Sequence, residues 1–420
     1  MDFKELYLSQ ISKHYCNARE LQYNTVYGYF LDLDQLNQFY DYLENETDSF
    51  SNSLIKLELK SFNSKHIYFS RCMELSQLVM NYCNLLIEDL EIDNSSLAIR
   101  NMSEILKSRI YSEVEGTLNI ENVPTTRKRF EELVIKGERP ITTNDKVIKN
   151  MGDAIEFIFK KPAFTKDNLF KLYNILSKDS LDFEDRLHEG DFYRYDKVYI
   201  DAYEGCPVEL IDDCMNSLFE YVNKNLKCQN YLKFFLPHIA HYYIVYIHPY
   251  FDFNGRTARM VSFWIHLLMN NAYPPYISDA INQTKSHYYN ALSESRNARN
   301  DITHFLLYLM DVSVLYFLTY KNIEHIDSIS KNKGIVLTNL DKDYIKRVLV
   351  SENGPFTYSD FTTWNRIQIS KQGAFKILNR FVEFGILKEA ETSNNKKLFE
   401  INTDLILYKK KTKVNSGSYF

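Results

Sequence analysis

The sequence predicts a mainly α-helical protein with a small separate domain at its C-terminal end. Only 12 Gly and 9 Pro occur among 420 residues, and these are the residue types that most often interrupt regular structure. Apolar residues recur at helical spacing over most of the chain, whereas alternating runs are few. The length allows two or three domains and at least one sizeable core. These features favour packed helices over a β-sandwich or barrel.

Residues 1–145 are predicted to form an N-terminal helical region. A long apolar helix is expected over 68–91, and a polar break follows it at 92–96. Another helix is expected at about 103–116. Gly116 would end it, because glycine is favoured just after the last residue of a helix.

The next region, residues 146–320, is predicted to be dense helix with one exception. The stretch 191–201 alternates like a short strand or hairpin, and Glu204-Gly-Cys-Pro207 reads as the turn that leads into the next helix. Polar residues at 321–337 are interpreted as a linker.

Residues 338–420 are predicted to form a winged-helix domain. Two short helices come first, and a third should begin after Ser370 and end before Gly385, the residue types preferred at the two helix ends. Two short apolar stretches around a polar turn then read as a β-wing. Helix, helix, helix, hairpin is the order of elements in that fold.

Composition limits the class of protein. The net charge of −5 argues against a surface built wholly for nucleic acid. Six scattered cysteines without a CxxC pair favour reduced thiols over a disulfide framework or a zinc site. The N-terminus lacks the apolar core of a signal peptide, and no segment is expected to span a bilayer. We therefore expect a cytoplasmic protein without membrane contact.

One twelve-residue stretch, His248-Pro-Tyr-Phe-Asp-Phe-Asn-Gly-Arg-Thr-Ala-Arg259, concentrates groups suited to phosphate chemistry. His248 ends a nearly uncharged helix, where the helix dipole favours a protonated imidazole, so it is placed to accept a proton. Asp252 offers the single carboxylate that often holds Mg²⁺ beside phosphates.

The second half of the same stretch predicts an anion site. Asn254 and Gly255 form a turn at a helix start, where free backbone N–H groups bind anions. Arg256 and Arg259 are three residues apart and so share one face of that helix. Two forked guanidinium groups at a helix start suit a polyphosphate.

This stretch resembles the signature of the Fic family, His-Pro-Phe-x-Asp/Glu-Gly-Asn-Gly-Arg-x-x-Arg, and the likeness extends over about residues 100–320. Fic proteins are helical and mostly transfer AMP from ATP to a Ser, Thr or Tyr hydroxyl of a protein. The resemblance therefore implies a Fic-type helical core with a small β-hairpin flap, an accessory winged-helix domain, ATP as substrate and Mg²⁺ as cofactor.

The resemblance also implies a role for each matching residue. His248 would be the general base, Asp252 the Mg²⁺ ligand, and Asn254 with Gly255 the anion hole. Arg256 would bind the nucleotide phosphates and Arg259 the γ-phosphate. The flap that aligns the target segment would comprise Val198, Tyr199 and Ile200.

Two positions depart from the signature. Tyr250 replaces the usual Phe and keeps a ring that can fill the core. Phe253 replaces the first Gly of Gly-Asn-Gly. If that position requires a positive φ, Phe is strained there; if it requires only a close backbone approach, the ring can point outward.

A second motif resembles the inhibitory helix of Fic proteins, Ser/Thr-x-x-x-Glu-Gly/Asn. We match it to Glu115-Gly116, although Tyr111 stands where Ser or Thr is expected. Glu115 would then pair with Arg259 and block the γ-phosphate site. Low basal activity, raised by Glu115→Gly, is the expectation.

The function predicted is an autoinhibited protein adenylyltransferase acting on a target protein. One alternative is a nucleotide-sensing, DNA-binding transcriptional regulator with a degenerate core, in which Lys371, Lys376 and Arg380 would meet DNA phosphates; protein contact through that domain is equally open. Another alternative is an enzyme that transfers a different phosphate-containing group or removes AMP. A homodimer is also left open.

Overall fold

The computed structural model of the chain describes most of the sequence. The described residues are 2–23, 30–45, 53–87, 98–200, 203–228, 231–270, 277–351, 354–365, 369–393 and 396–407. The chain divides into two compact units, Met1–Ser313 and Val314–Phe420.

The N-terminal part of the first unit contains five helices and a two-stranded antiparallel sheet. Its elements are α1 (Phe3–Ser12), α2 (Ala18–Tyr23), α3 (Leu33–Asn45), β1 (Leu54–Lys56), β2 (Tyr68–Ser70), α4 (Met73–Ile87) and α5 (Glu104–Ile120). The helix predicted over 68–91 is therefore shorter, because its first residues pair with β1 and because the N–H of Ser70 donates to Thr303 Oγ1.

In the remainder of the first unit, the described residues form helices and one hairpin. The elements are α6 (Arg127–Phe130), α7 (Thr143–Phe159), α8 (Lys166–Ser177), β3 (Tyr199–Ile200), β4 (Tyr203–Glu204), α9 (Val208–Leu226), α10 (Leu236–Ile247), α11 (Asn254–Asn270), α12 (Ile277–Gln283) and α13 (Lys285–Asn297). The next helix, α14 (Thr303–Asn332), begins in the first unit and ends in the second. Nearly every residue of α10 is buried, and α10 packs closely against α11. This pair of helices forms the centre of the unit and positions the loop between them.

Helix α5 does not end at Gly116 as predicted. It begins after Ser103, whose side chain accepts from the N–H of Leu106, and it continues to Ile120. A Cβ added at Gly116 would lie 2.5 Å from the backbone of Ser278 and Asp279 in α12. Gly116 is therefore required for the close approach of two helices and is not a helix stop.

By length and composition alone, helix α14 is long and apolar enough to cross a membrane. The prediction that no segment could span a bilayer therefore does not hold on these two criteria. Within its most apolar window, 67% of the residues are buried inside the protein, as in the core helix of a folded domain.

The second unit has the predicted order of three helices and a hairpin. Its elements are α15 (Asn339–Ser351), α16 (Tyr358–Asn365), α17 (Lys371–Glu383), β5 (Leu387–Ser393) and β6 (Lys396–Ile401), the two strands being antiparallel. Ser370 caps α17 by accepting from the N–H of Gly373, and Gly385 has a φ of 73°.

The linker predicted at 321–337 is largely helical. Residues 321–332 belong to α14, and Ile323, Ile326 and Leu337 are buried in the hydrophobic core of the second unit. The polar residues of this helix led to the linker prediction, although the apolar residues between them are buried in the core.

Candidate active site

Helix α10 delivers His248 to the start of the loop. The residue has left-handed backbone angles, φ 55° and ψ 62°, and its N–H donates to Ile244 O at 2.9 Å. The ring nitrogen Nδ1 lies 3.4 Å from Val245 O. A proton on Nδ1 makes that hydrogen bond and leaves Nε2 as the acceptor.

The imidazole of His248 is neutral at physiological pH. Burial lowers its pKa to about 4 and outweighs the hydrogen bond to Val245, which raises it. The helix dipole, on which the sequence prediction relied, favours the protonated ring. Desolvation is the larger effect here, and a buried neutral ring is the form that can accept a proton.

The pH dependence of catalysis should reflect this low pKa. A general base works unprotonated, so activity is retained above its pKa and lost as the pH falls through it. We expect kcat/KM to stay nearly constant from pH 7 to about pH 5 and to fall towards pH 4. Initial rates across this pH range measure the fall of kcat/KM at acidic pH. Circular dichroism at each pH confirms that the protein stays folded. A decline centred on the ordinary histidine pKa would contradict the prediction.

Asn254 closes the loop with its side chain. Its Nδ2 donates to Tyr250 O at 2.8 Å, and its Oδ1 accepts from the N–H of Tyr250 at 3.0 Å. The ring of Tyr250 is fully buried and stacks on Tyr173 with 3.7 Å between centroids. The substitution of Tyr for Phe thus keeps the packing role expected of it, and the backbone of Asn254 and Gly255 begins α11.

Phe253 meets the first of the two conditions considered for it, a positive φ, and not the second, an outward ring. Its φ is 67°, so the position does require left-handed backbone. Its side chain is only 2% exposed and so points inward. The guanidinium carbon of Arg256 lies 3.3 Å from the centroid of the ring, a cation–π contact. Phe253 therefore supports one of the predicted phosphate-binding arginines.

Replacing Phe253 with glycine should destabilise the protein. Glycine would relieve a left-handed backbone cost of about 1–2 kcal/mol, but loss of a buried Phe ring costs about 3–5 kcal/mol. We expect Phe253→Gly to lower the free energy of unfolding by about 1–4 kcal/mol, measured by urea denaturation. An equal or higher stability would show that backbone strain outweighs ring packing.

Asp252 fits the role of a Mg²⁺ ligand. Its side chain is 51% exposed, and Oδ2 lies 3.3 Å from Arg256 Nη2. A second carboxyl group, Asp185, is close by: burial and then the charge of Asp252 raise its pKa. An accessible carboxylate beside an anion site is the hard oxygen donor that Mg²⁺ accepts while keeping several waters.

Arg259 pairs with Glu121 and not with Glu115, so the predicted pairing of Arg259 with Glu115 is wrong. The Nη2 of Arg259 donates to Glu121 Oε1 at 2.5 Å, and its Nε donates to Thr117 Oγ1 at 2.7 Å. Glu115 instead accepts from the hydroxyl of Tyr111 at 2.7 Å. The Arg259 side chain is 1% exposed.

A sequence signal for the correct glutamate exists six residues downstream. Thr117-Leu-Asn-Ile-Glu121-Asn122 satisfies Ser/Thr-x-x-x-Glu-Gly/Asn at every specified position. Interpreting Gly116 as the end of the helix excluded this segment. The close approach of α12 explains that glycine, and the helix continues to present Thr117 and Glu121 to Arg259.

The Glu121 carboxylate lies at the predicted anion hole. A Cβ on Gly255 would come within 3.0 Å of Glu121 Oε1 and 3.2 Å of Arg259 Nη1. Burial alone raises the pKa of Glu121, but Arg259, Arg256 and Lys285 together hold it below its usual value. A charged carboxylate is thus held at the α11 N-terminus, where a phosphate would also be stabilised.

The predicted flap is the hairpin β3–β4. Tyr199 pairs with Glu204 and Ile200 with Tyr203, and Val198 O accepts from the N–H of Gly205 at 3.0 Å. The Tyr199 side chain is 70% exposed. The hairpin therefore presents the ring of Tyr199 to solvent.

Arg194 was missed in the sequence and connects this hairpin to the His248 loop. It is only 2% exposed. Its Nε donates to His248 O at 2.8 Å, its Nη1 to Asp196 O at 2.7 Å, and its Nη2 to Cys206 O. All three acceptors are backbone carbonyls, which carry no sequence signature.

Residues 163–266 match the model of the Fic/DOC family. The matched range contains the whole loop from His248 to Arg259.

Three relatives carry the name Protein adenylyltransferase Fic. The Drosophila willistoni protein is 28% identical over 231 residues, which cover 52% of this chain and 42% of that protein. The Drosophila persimilis protein is 27% identical over 52% and 41%. The Drosophila grimshawi protein is 40% identical over 73 residues, 17% and 14% of the two chains. The chain thus spans less than half the length of the first two relatives.

Two solved structures show lower similarity. A Fic family protein from Desulfovibrio desulfuricans G20 aligns with a TM-score of 0.48 and 16% identity, covering 80% of this chain and 97% of that one. Fic-1 from C. elegans aligns with a TM-score of 0.47 and 18% identity, covering 60% and 72%.

Proposed function

We propose that the protein is a protein adenylyltransferase that transfers AMP from ATP to a hydroxyl group of a target protein. The observation that carries the proposal is the Glu121 carboxylate held between Arg259 and the start of α11, the helix that follows the His248 loop. A site that already binds one anion at the end of a loop containing a neutral imidazole is suited to a nucleotide and a nucleophile. The names of the relatives support the same reaction.

His248 would act as the general base. Its Nε2 takes the proton of the target hydroxyl as that oxygen bonds to the α-phosphorus of ATP, and the bond to the pyrophosphate oxygen breaks. The products are the AMP-modified protein and pyrophosphate, with the proton left on His248. Arg256 and the N–H groups of α11 would stabilise the charge on the phosphate oxygens.

Asp252 would hold Mg²⁺, which neutralises phosphate charge when bound. The contact between Arg256 and the Phe253 ring fixes the guanidinium at the same edge of the loop. The two positively charged groups would thus flank the phosphates before the hydroxyl arrives.

The exposed edge of the hairpin would bind the target. An extended segment can add to a strand edge through backbone hydrogen bonds, and Tyr199 offers an exposed ring for a side chain of that segment. Because Arg194 connects the hairpin to the carbonyl of His248, a docked segment would lie next to the base.

Glu121 would keep basal activity low. Arg259 is the predicted partner of the γ-phosphate, and its guanidinium already contacts Glu121 and Thr117. A productive ATP pose requires this pair to separate, because both carboxylate and γ-phosphate need the same donor.

Transfer from labelled ATP tests the reaction. The protein would be incubated with Mg²⁺ and ATP labelled at the α- or the γ-phosphate, with itself and a cell lysate as acceptors. We expect label to remain on protein only from α-labelled ATP. Retention of the γ-label would indicate transfer of another phosphate group, and loss of AMP from previously labelled protein would indicate removal; either result would contradict the proposal.

The DNA-binding alternative has less support. The Arg380 guanidinium donates to Asp341, and Lys371 Nζ lies 5.3 Å from the ring centroid of Tyr358. Of the three predicted phosphate-binding residues on α17, which is fully described, Lys376 alone has neither such contact. A salt-sensitive DNA shift that Lys376→Ala weakens would restore this alternative.

A further inference from the structure

We propose a structural zinc site at the turn between α1 and α2, formed by His14, Cys16 and Glu20. A ring nitrogen of His14, the Sγ of Cys16 and a carboxylate oxygen of Glu20 all lie within 4.8 Å of one another. Imidazole, thiolate and carboxylate are the donors that Zn²⁺ uses in proteins. The site shares no residue with the proposed active site and does not depend on the proposed reaction.

Glu74, at the start of α4, orients the imidazole. Its Oε1 accepts from His14 Nδ1 at 2.6 Å, and its Oε2 accepts from the N–H of Tyr15 at 3.1 Å. A carboxylate bonded to one ring nitrogen of a ligating histidine fixes the tautomer and raises the basicity of the other. That other nitrogen, Nε2, lies 3.7 Å from Glu20 Oε1.

Two further hydrogen-bonded contacts hold the remaining ligands in place. The N–H of Cys16 donates to Gln10 Oε1 at 3.2 Å. Asn17 and Glu20 exchange hydrogen bonds of 2.8 Å between backbone N–H and side-chain oxygen, in which Glu20 uses Oε2. Oε1 is therefore the Glu20 oxygen directed towards His14, and the turn is formed without requiring the metal.

Burial of the donors matches a metal site with access from one side. Cys16 is 2% exposed, whereas the side chains of His14 and Glu20 are 12% and 32% exposed. An ion could therefore enter past Glu20 and reach the buried Cys16 sulfur, whose thiol would lose its proton on binding the metal. A borderline-soft set of one sulfur, one nitrogen and one oxygen favours Zn²⁺ over Mg²⁺ or Ca²⁺.

His304 lies beside the turn, although its ring nitrogens are not among the donors that lie within 4.8 Å of one another. Its ring packs 5.6 Å from that of Tyr15, and its Nε2 is buried with no hydrogen-bond partner in the described part of the chain. A buried donor without a partner is a group that a metal would satisfy.

Metal content and cobalt spectroscopy of the full chain test the proposal. We expect about one Zn²⁺ per purified chain, and Co²⁺ substitution should give a thiolate-to-cobalt charge-transfer absorption. Cys16→Ser should abolish the absorption. Two controls should retain it: Cys228→Ser, which removes a thiol elsewhere, and Asp252→Asn, which removes the predicted Mg²⁺ ligand. Loss of zinc in Asp252→Asn but not in Cys16→Ser would overturn the proposal.

Conservative variants distinguish a loss of metal binding from a loss of the fold. Glu74→Gln keeps the shape of the side chain that orients His14 and should weaken Zn²⁺ affinity about 10- to 100-fold; Glu20→Gln should also weaken it. Competition with a chromogenic chelator measures both affinities. If neither variant changes the affinity, or if the wild-type chain gives no thiolate absorption with Co²⁺, the cluster is a hydrogen-bonded ion pair and the zinc site is refuted.

Discussion

Glu121→Gln is expected to raise self-modification and target modification by about 5- to 150-fold, the usual range for coupling between an internal inhibitor and a ligand. The variant removes the negative charge that competes for Arg259 while keeping the side-chain volume. Arg259 would then be available to the γ-phosphate, and the negative charge that lies against Gly255 would be removed. Rates of incorporation from α-labelled ATP measure the change.

Glu115→Gln is the matched control for this experiment. Glu115 lies on the same helix, α5, but its carboxylate contacts Tyr111 and not Arg259. We expect its rate to stay close to that of the parent. Activation by Glu115→Gln with no activation by Glu121→Gln would restore the original assignment and contradict the structure.

His248→Ala in the Glu121→Gln background should reduce the rate of AMP transfer about 10²- to 10⁴-fold, the usual contribution of a general base. No described side chain near the loop replaces the neutral Nε2. His248→Asn is a useful companion, because asparagine tolerates the left-handed backbone of this position better than alanine does. Both variants should lose transfer to a similar extent.

Nucleotide affinity distinguishes loss of the base from loss of the fold. Calorimetric titration with a non-hydrolysable ATP analogue should give nearly the same Kd for the Glu121→Gln parent and for both histidine variants, because His248 is not assigned to phosphate binding. A retained transfer rate, or a loss of rate matched by loss of binding, would argue against His248 as the base.

Local patterns were sufficient to predict the central loop. His248, Asp252, Gly255 and Arg256 lie within nine consecutive residues, so their proximity follows from the sequence itself. The ends of α17 were also predictable, because capping residues act over a few positions. The hairpin was only partly predicted: the strand expected at 191–201 is limited to Tyr199–Ile200, and Glu204, expected in a turn, lies in the second strand.

The inhibitory contact was not predicted because it depends on tertiary packing. A glycine inside a helix and a glycine after a helix look alike in one sequence. Only the approach of α12, 2.5 Å from a Cβ at Gly116, shows which applies. The partners of Arg194 were missed because they are backbone carbonyls. In the cluster around His14, the contact with Glu74 joins segments that are distant in sequence.

The three carbonyls bound by Arg194 have a consequence for target selection. Because one guanidinium donates to backbone carbonyls beside both hairpin strands and to the carbonyl of His248, we expect a displacement of the hairpin to be passed on to His248, the proposed base. A target segment that fits poorly would displace both together. Selectivity between target proteins should therefore be expressed in kcat as well as in KM, because the fit of a target on the hairpin would change the rate of the chemical step.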